Sequence, residues 1–394
     1  MSKSHVPFSL TIALALTLML GPFSVDTYLP AFPQMAGALE VSVADISLSI
    51  SVYIFTLSFS QLIGGALSDH FGRRTVLLGG LALYLVAALV VGFAGNMALL
   101  LIGRAVQAFG AGWVLVSVPA LVRDRVSGQD AAKLFSLIGL IMIVAPGIAP
   151  SVGSAILEVA SWRWIFFFLA AYALFLIPVA KRVIFRQTPK RAVAPGTTGM
   201  LQRYLNVLRE KRALPFVLWQ AAGFSVLMLF ITHASFIYQE HFGQSARHFS
   251  LLFAANIVAM LGFNLLNRLL LSRLPSLTVL RGATTVQALG MLLVVIATLG
   301  DWPVLGFMCA MMIAVGALGA VAPNLQANYL EFFPHSGASA AALLGATQFG
   351  VAGLASGLST RLPHTLPAIV GAMGVAALVP VSTMLLTRRT LTAA

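Results

Sequence analysis

The sequence predicts an all-α membrane protein of twelve transmembrane helices, arranged as two pseudo-symmetric bundles of six. Two observations support this fold class. First, 59% of the 394 residues are hydrophobic and only 9% are charged, whereas soluble domains carry about 25% charged residues. Second, about 20 consecutive apolar residues cross the hydrocarbon core as a helix, and twelve runs of that kind follow one another here. Lipid is therefore the expected solvent for most of the chain.

The apolar runs give the order of the helices and the domain organisation. They lie near 8–30, 45–67, 75–94, 98–121, 134–157, 162–181, 214–238, 247–271, 277–299, 303–329, 338–360 and 365–387. The connections are short except for 182–213, so neighbouring helices are expected to be antiparallel. This long segment separates a first bundle, 1–181, from a second, 214–394. Two such halves indicate an internal duplication, with a solute site expected near the membrane midplane.

The basic residues predict the orientation of the helices. The net charge of +13 suits a nucleic-acid binder less well than a membrane protein, because the basic residues lie in short clusters between apolar runs. Twenty of the 24 Lys and Arg residues fall in segments on one side, three fall on the other, and one lies within a run. Cytoplasmic segments carry the excess of Lys and Arg. Both termini are therefore predicted to be cytoplasmic.

The linker 182–213 combines basic residues with periodic apolar ones. Leu201, Tyr204, Leu205 and Leu208 follow helical spacing among the basic side chains. This pattern is typical of an amphipathic helix on an anionic membrane surface. A solvated tether between the two halves is the alternative interpretation.

Two charged side chains, Asp26 and Arg104, fall inside apolar runs. A charge at the centre of a membrane helix costs roughly 2.5–3.5 kcal/mol on insertion scales, so such residues usually face a cavity. With the predicted orientation, both lie in the outer half of the membrane at similar depth. Asp26 is predicted to bind and release a proton, and Arg104 to modulate that binding. The alternative is a static ion pair between helices.

Five segments stand in order along the chain: Asp26–Pro33, Gly65–Arg74, Arg104–Gly110, Ala145–Gly153 and His335–Ala341. Together they resemble the motifs of drug:proton antiporters of the major facilitator superfamily. The last two resemble the forms found in the bicyclomycin and chloramphenicol resistance exporters. The resemblance covers nearly the whole chain, although His70 stands where a basic Arg is common. It implies the major facilitator fold and the inner membrane of a bacterium.

The resemblance also implies roles for particular residues. Asp26 and Arg104 become the proton-coupling pair. A conformational gate on the cytoplasmic side is implied for Gly65, Asp69, Gly72, Arg73 and Arg74. In the superfamily the equivalent of Asp69 faces the start of the eleventh helix. A helix-kink antiporter motif is implied for Pro146, Gly147, Pro150 and Gly153; prolines one turn apart each remove a backbone hydrogen bond.

Substrate-cavity candidates follow from the helices that line the pathway in the superfamily, the first, fourth, seventh and tenth. The candidates on these helices are Tyr28, Gln107, Trp113, Gln220, Phe224, His233 and Asn324. Interhelical hydrogen bonding is the alternative role for the polar members of this set.

The sequence thus predicts a proton-coupled antiporter that exports small lipophilic or amphipathic drugs by alternating access. A proton-coupled transporter of a polar metabolite, such as a sugar or an amino acid, is the alternative. No nucleophile–base set, metal cluster or Walker-type loop is evident in the sequence, so neither an enzyme nor an ATP-driven pump is expected. The expected partners are a small-molecule substrate, protons and the bilayer, with no cofactor and no nucleic acid. A monomer is the expected state.

Overall fold

The computed structural model describes residues 8–124, 128–186, 200–333 and 337–391. Helices are the regular elements of this part of the chain, with no strand in it. The α-helices are α1 (Phe8–Asp26), α2 (Phe32–Leu39), α3 (Val43–Phe71), α4 (Arg73–Gly92), α5 (Met97–Arg123), α6 (Gly128–Val159), α7 (Arg163–Val179), α8 (Met200–Arg209), α9 (Leu214–Ser235), α10 (Ala246–Leu271), α11 (Ser276–Leu299), α12 (Val304–Gly316), α13 (Leu318–Leu330), α14 (Gly337–Ser359) and α15 (Leu366–Leu391).

The helices match the predicted membrane spans in number and order. Within the described residues, 11 helical segments are long and apolar enough to cross a membrane, and a shorter apolar stretch, Val144–Val159, belongs to α6. Apolar side chains such as Val375, Leu378 and Leu386 are more than 60% exposed, as expected where side chains face lipid tails rather than water. The prediction of an all-α, multi-pass membrane protein is therefore confirmed.

The chain divides into two compact units. Unit 1 comprises Met1–Val41 and Thr56–Thr197, and unit 2 comprises Ser42–Phe55 and Thr198–Ala394. The first part of α3 thus groups with unit 2, because it packs against α14. A Cβ atom at Gly353 of α14 would lie 2.7 Å from the backbone nitrogen of Phe55. Glycine is required at such a close approach between helix backbones.

Glycines also bring α4 and α5 of unit 1 together. A Cβ atom at Gly110 would lie 2.6 Å from the carbonyl oxygen of Gly80, and one at Gly80 would lie 2.7 Å from the carbonyl oxygen of Gly110. Small residues that let backbones approach are the usual means of packing helices in a membrane, where lipid provides no hydrophobic drive between them.

In unit 2, α12 and α13 are two parts of one span, separated by Ala317. Pro323 of α13 has no backbone N–H, so the carbonyl of Gly319 lacks its usual helical donor. The side-chain Nδ2 of Asn264, on α10, donates a hydrogen bond of 3.0 Å to that carbonyl oxygen. The interhelical bond therefore replaces the intrahelical one.

The described part of the predicted linker contains α8. The helix carries Leu205 and Leu208 exposed, whereas Val207 is buried in the hydrophobic core of unit 2. The described part of the linker is thus helical where the leucine spacing predicts it. Residues 187–199 of the predicted linker lie outside the described residues.

Candidate functional site

Asp26 is the last residue of α1, at a break in the first span. Pro30 has no N–H to donate to the carbonyl of Asp26, so the α-helix ends there and a 3-10 turn, Leu29–Ala31, follows. The predicted run ended near residue 30, but the apolar helical segment continues through α2 to Leu39. The prediction of that boundary was wrong, because the prolines interrupt the helix without ending the span. Asp26 therefore lies at an interruption within the first span rather than at the end of that span.

The carboxyl group of Asp26 is buried, with 2% of the residue exposed. Its Oδ1 atom has no hydrogen-bond partner among the described residues. Ionising a buried carboxyl group that has an unpaired oxygen costs more than burying the neutral carboxylic acid. The site is therefore suited to a group that takes up a proton.

Arg104 lies on α5 and is fully buried. Its Nη1 donates a hydrogen bond of 2.6 Å to Oε1 of Gln107, one turn further along α5. Its Cζ lies 4.5 Å from the ring centroid of Tyr28. Two of the predicted cavity residues, Tyr28 and Gln107, therefore contact Arg104.

Asp26 and Arg104 do not form an ion pair in the described part of the chain. The ring of Tyr28, two residues after Asp26, instead packs against the guanidinium of Arg104. The centroid of the same ring lies 5.5 Å from the ring centroid of Phe166 on α7. The two intramembrane charges thus share one region of unit 1 without a direct contact.

The helix-kink motif on α6 meets the break that follows Asp26. A Cβ atom at Gly153 would overlap the carbonyl oxygen of Thr27 and would lie 3.3 Å from Cγ of Pro30. Only glycine fits this contact without a shift of the backbone. The hydroxyl of Ser154 donates a hydrogen bond of 3.1 Å to the carbonyl of Pro150. Pro146 and Gly147 lie half-buried on the same helix.

The predicted gate motif forms the turn between α3 and α4. Gly72 has a φ of 86°, in the region that glycine occupies at no steric cost. Arg73 donates a hydrogen bond of 2.9 Å to Oγ of Ser68 and lies 3.4 Å from Oδ2 of Asp124. Arg74 is exposed and Gly65 is half-buried. The side chain of Asp69 and the motif residue His335 lie outside what the structure describes.

Trp113 packs among the glycines of neighbouring helices. A Cβ atom at Gly64 of α3 would lie 2.8 Å from Cδ1 of this indole, and one at Gly80 of α4 would lie 2.9 Å from its Cβ. Its ring is 5.7 Å from that of Phe109. Trp113, one of the predicted cavity residues, lies on α5 and packs against α3 and α4.

A pocket of about 90 Å³ lies in unit 2. Gln220 and Phe224, both predicted as cavity residues, line it from α9. Nε2 of Gln220 donates a hydrogen bond of 2.5 Å to Oε1 of Gln348 on α14. The rings of Phe224 and Phe349 meet edge to face at 5.1 Å. Gln348 is not among the predicted cavity residues, and its separation of 128 residues from Gln220 hides the pairing in the sequence.

His233, at the end of α9, is fully buried. Its Nε2 lies 2.8 Å from Oγ of Ser359. Its ring centroid is 6.2 Å from that of His364, in the turn after α14. Neither Ser359 nor His364 was singled out from the sequence as a neighbour of His233.

Asn324 belongs to a polar network that joins α10, α11 and α13. Its Nδ2 donates to Oδ1 of Asn267, and its Oδ1 accepts a hydrogen bond of 2.8 Å from Ser276. Nδ2 of Asn328 donates to the same serine at 2.9 Å. The network satisfies these buried amides within unit 2 and matches the alternative role of interhelical hydrogen bonding.

No group of three or more His, Cys, Asp or Glu side chains in the described ranges could hold a metal ion. The buried polar residues of the two units differ in charge. Unit 1 holds the buried acid and the buried arginine, and unit 2 holds an uncharged pocket and the neutral polar network.

Comparison with known proteins gives consistent matches over most of the chain. A family model described as Major Facilitator Superfamily matches residues 14–357. A bicyclomycin resistance protein homolog of Haemophilus influenzae is 29% identical over 365 residues, covering 91% of this chain and 90% of that protein. A chloramphenicol resistance protein of Pseudomonas aeruginosa is 32% identical over 332 residues, covering 80% and 78%.

Solved structures show the same fold at low identity. The xylose transporter XylE from E. coli, in a partially occluded inward-open conformation, has a TM-score of 0.70 at 17% identity, covering 94% of this chain and 96% of that one. A peptide transporter, POT, has a TM-score of 0.78 at 15% identity, covering 99% and 96%. At such identities these two matches concern the fold alone.

Proposed function

The chain belongs to the Major Facilitator Superfamily, and we propose that it is a proton-coupled antiporter that exports small lipophilic or amphipathic drugs by alternating access. The observation that supports this most directly is the buried Asp26 at the break in the first span, next to the Tyr28–Arg104 contact. In this proposal the chain lies in a bacterial inner membrane with both termini in the cytoplasm, needs no cofactor and catalyses no reaction.

Asp26 is the proposed proton carrier. Its carboxyl group has no ion-pair partner among the described residues, so its charge state depends on the access of water and protons rather than on a fixed counter-ion. Arg104 lies in the same region, held by Gln107 and Tyr28. A small change in the position of α1 relative to α5 would change the field that Arg104 exerts at the carboxyl group.

One proton supplies enough energy for drug export. A charge that crosses the membrane is worth about 2.3 kcal/mol per 100 mV. At 1.4 kcal/mol for each tenfold concentration ratio, one proton sustains a gradient of roughly 50-fold per 100 mV. A gradient of that size is sufficient for resistance.

The pocket of unit 2 favours a drug over a polar metabolite as substrate. Its lining has a single amide side chain, Gln220, and otherwise apolar groups. A sugar or an amino acid would lose its hydration there without equivalent hydrogen bonds. The relatives named for bicyclomycin and chloramphenicol resistance also support a drug as substrate.

The test is substrate-induced proton release from inverted membrane vesicles. Wild-type vesicles acidified by respiration are expected to release protons when chloramphenicol is added, because the drug exchanges for protons. Asp26→Asn is expected to abolish this release at an unchanged protein level. Proton release by a second, native antiporter in the same vesicles controls for vesicle quality.

Proton release at the wild-type rate in Asp26→Asn would remove Asp26 from the mechanism. A susceptibility panel in an efflux-deficient bacterium then defines the substrates. The proposal fails if the wild-type chain protects against no drug and drives no proton release, whereas a response to sugars or amino acids alone would support the metabolite alternative.

A further inference from the structure

The pocket of unit 2 is lined by α13 residues that directly follow the break between α12 and α13. Gly319, just after the break, lies so close to α10 that a Cβ atom there would overlap the carbonyl oxygen of Met260. One turn further along α10, Asn264 donates a hydrogen bond to the carbonyl oxygen of the same glycine. The two helices are thus fixed together on one side of the pocket. Met260, Leu318, Val321 and Ala322 form this wall.

The opposite wall comes from α9. Trp219, Gln220, Gly223, Phe224 and Leu227 face the pocket from three successive turns. The indole of Trp219 is held in place because its Nε1 donates a hydrogen bond of 3.1 Å to Oγ1 of Thr284. A Cβ atom at Gly223 would have no neighbour nearer than 3.9 Å. A methyl group there would make ordinary van der Waals contacts with Gln287, Leu318 and Pro380.

The amide that lines the pocket is that of Gln220, and Gln348 is its hydrogen-bond partner. Gln220 donates to Gln348 at 2.5 Å, and both residues are half-buried rather than enclosed. A primary amide has two N–H donors and an oxygen with two lone pairs. One mutual hydrogen bond therefore leaves both donor and acceptor capacity for a ligand. The indole N–H, in contrast, is already paired with Thr284.

Size and charge limit what can occupy the pocket. Complete drug-binding pockets measure about 300–1,000 Å³, whereas this one measures about 90 Å³. It can hold one ring or a compact alkyl group, but not a whole drug. No side chain that lines it is ionisable, so a cation or anion would lose its hydration there with no counter-charge.

We infer that this pocket is a subsite that binds one apolar ring of an uncharged compound. The amide of Gln220, paired with Gln348, binds a hydroxyl, carbonyl or amide group next to that ring. The inference rests on the proposed export function and specifies its substrate class. Neutral aromatic compounds bind in this subsite during transport, and permanently charged aromatic compounds are excluded from it.

The test combines binding with transport. Purified protein in detergent is titrated with chloramphenicol, a neutral nitroaromatic compound with hydroxyl and amide groups, and with ethidium, a planar cation. Nitroaromatic groups quench indole fluorescence, so chloramphenicol is expected to quench Trp219, and Trp219→Phe is expected to lose that part of the signal. Ethidium is expected not to compete with chloramphenicol.

Two matched substitutions on α13 separate pocket filling from general damage. Ala322→Leu fills the pocket and is expected to raise the half-saturating chloramphenicol concentration at least tenfold, in binding and in proton release. Ala327→Leu makes the same change at an exposed position of the same helix and is expected to leave both unchanged. Gln220→Leu is expected to weaken chloramphenicol binding but not competition by nitrobenzene, which has the ring alone.

The outcomes distinguish the subsite from the function on which it rests. Proton release that is normal in Ala322→Leu overturns the subsite and leaves the antiport function standing. Quenching that depends on Ala322, without any proton release in the wild type, supports the subsite and overturns the antiport function. Equal competition by ethidium overturns the selection for uncharged compounds.

Discussion

The guanidinium carbon of Arg104 lies 4.5 Å from the centre of the Tyr28 ring, and both residues are fully buried. Because Tyr28 follows Asp26 by two residues, this contact ties the arginine on α5 to the segment that carries the buried acid. The arginine is therefore stabilised by a ring face and an amide. Cation–π contacts contribute about 2 kcal/mol when they are desolvated.

The first prediction concerns that contact. Tyr28→Leu is expected to lower the thermal unfolding midpoint in detergent and to reduce substrate-induced proton release at least tenfold, because it removes the ring from a buried charge. Tyr28→Phe keeps the ring and is expected to retain most of both. Arg104→Lys is expected to be partly active, since Lys keeps the charge without the planar fork. Equal behaviour of the Leu and Phe variants would contradict a role for the ring.

The second prediction concerns the contact of α6 with the break in the first span. Gly153→Ala places a methyl group on the carbonyl oxygen of Thr27, and overpacking of this kind costs about 1–3 kcal/mol. A lower unfolding midpoint and weaker proton coupling are expected. Gly37→Ala on α2, where a Cβ atom meets nothing within 4 Å, is the control and is expected to behave as wild type. Full coupling in Gly153→Ala would show that the contact can relax.

The third prediction concerns the carbonyl of Gly319. Asn264→Leu removes its hydrogen-bond donor and is expected to cost about 1–3 kcal/mol, the usual penalty for an unsatisfied buried polar group. Pro323→Ala restores a backbone N–H that can donate to the same carbonyl. The double variant Asn264→Leu/Pro323→Ala is therefore expected to recover stability that Asn264→Leu loses, as measured by thermal unfolding. Strictly additive effects of the two substitutions would exclude the coupling.

The fourth prediction concerns His364 in the turn after α14. Burial lowers the pKa of His364, and the negative charge of Asp45 partly offsets that effect. His233, whose ring lies 6.2 Å away, is the other titratable neighbour. A histidine whose folded-state pKa is lowered favours the unfolded state once it is protonated. Its contribution to stability is therefore present above the usual pKa of about 6.5 and is lost as the pH falls below it.

Unfolding midpoints measured between pH 7.5 and pH 5 test this prediction. The unfolding midpoint of His364→Gln is expected to fall less than that of wild type over that range. The midpoint of Asp45→Asn is expected to fall more, because the attraction between Asp45 and the protonated His364 is lost. A wild-type pH dependence in His364→Gln would exclude a contribution from this histidine.

The positions of the main elements could be predicted from the sequence because membrane spans depend on long, local runs of apolar residues. Asp26 and Arg104 stood out for the same reason, as charges inside such runs. Their relation could not be predicted, because it depends on which face of α5 meets the first span. The extension of that span to Leu39 was missed because Pro30 and Pro33 are typical both of a helix end and of an interruption within a span.

The roles of the cavity candidates are harder to predict from the sequence than the helices are, for a physical reason. An intramembrane amide can line a pathway or bond to another helix, and its sequence position is the same in both cases. Gln220 and Phe224 line the pocket, whereas Gln107 and Asn324 hydrogen-bond to neighbouring side chains. The deciding partners, such as Gln348 for Gln220, lie far away in the chain.

The hydrogen bond between Asn264 and Gly319 also limits the order in which this sequence can change during evolution. Loss of the asparagine is harmful while Pro323 remains, but it becomes tolerable once the proline has been replaced by a residue with an N–H. Drift at one position is thus conditional on the state of the other. Random libraries that vary α10 alone would discard substitutions at residue 264 that are acceptable in a different α13.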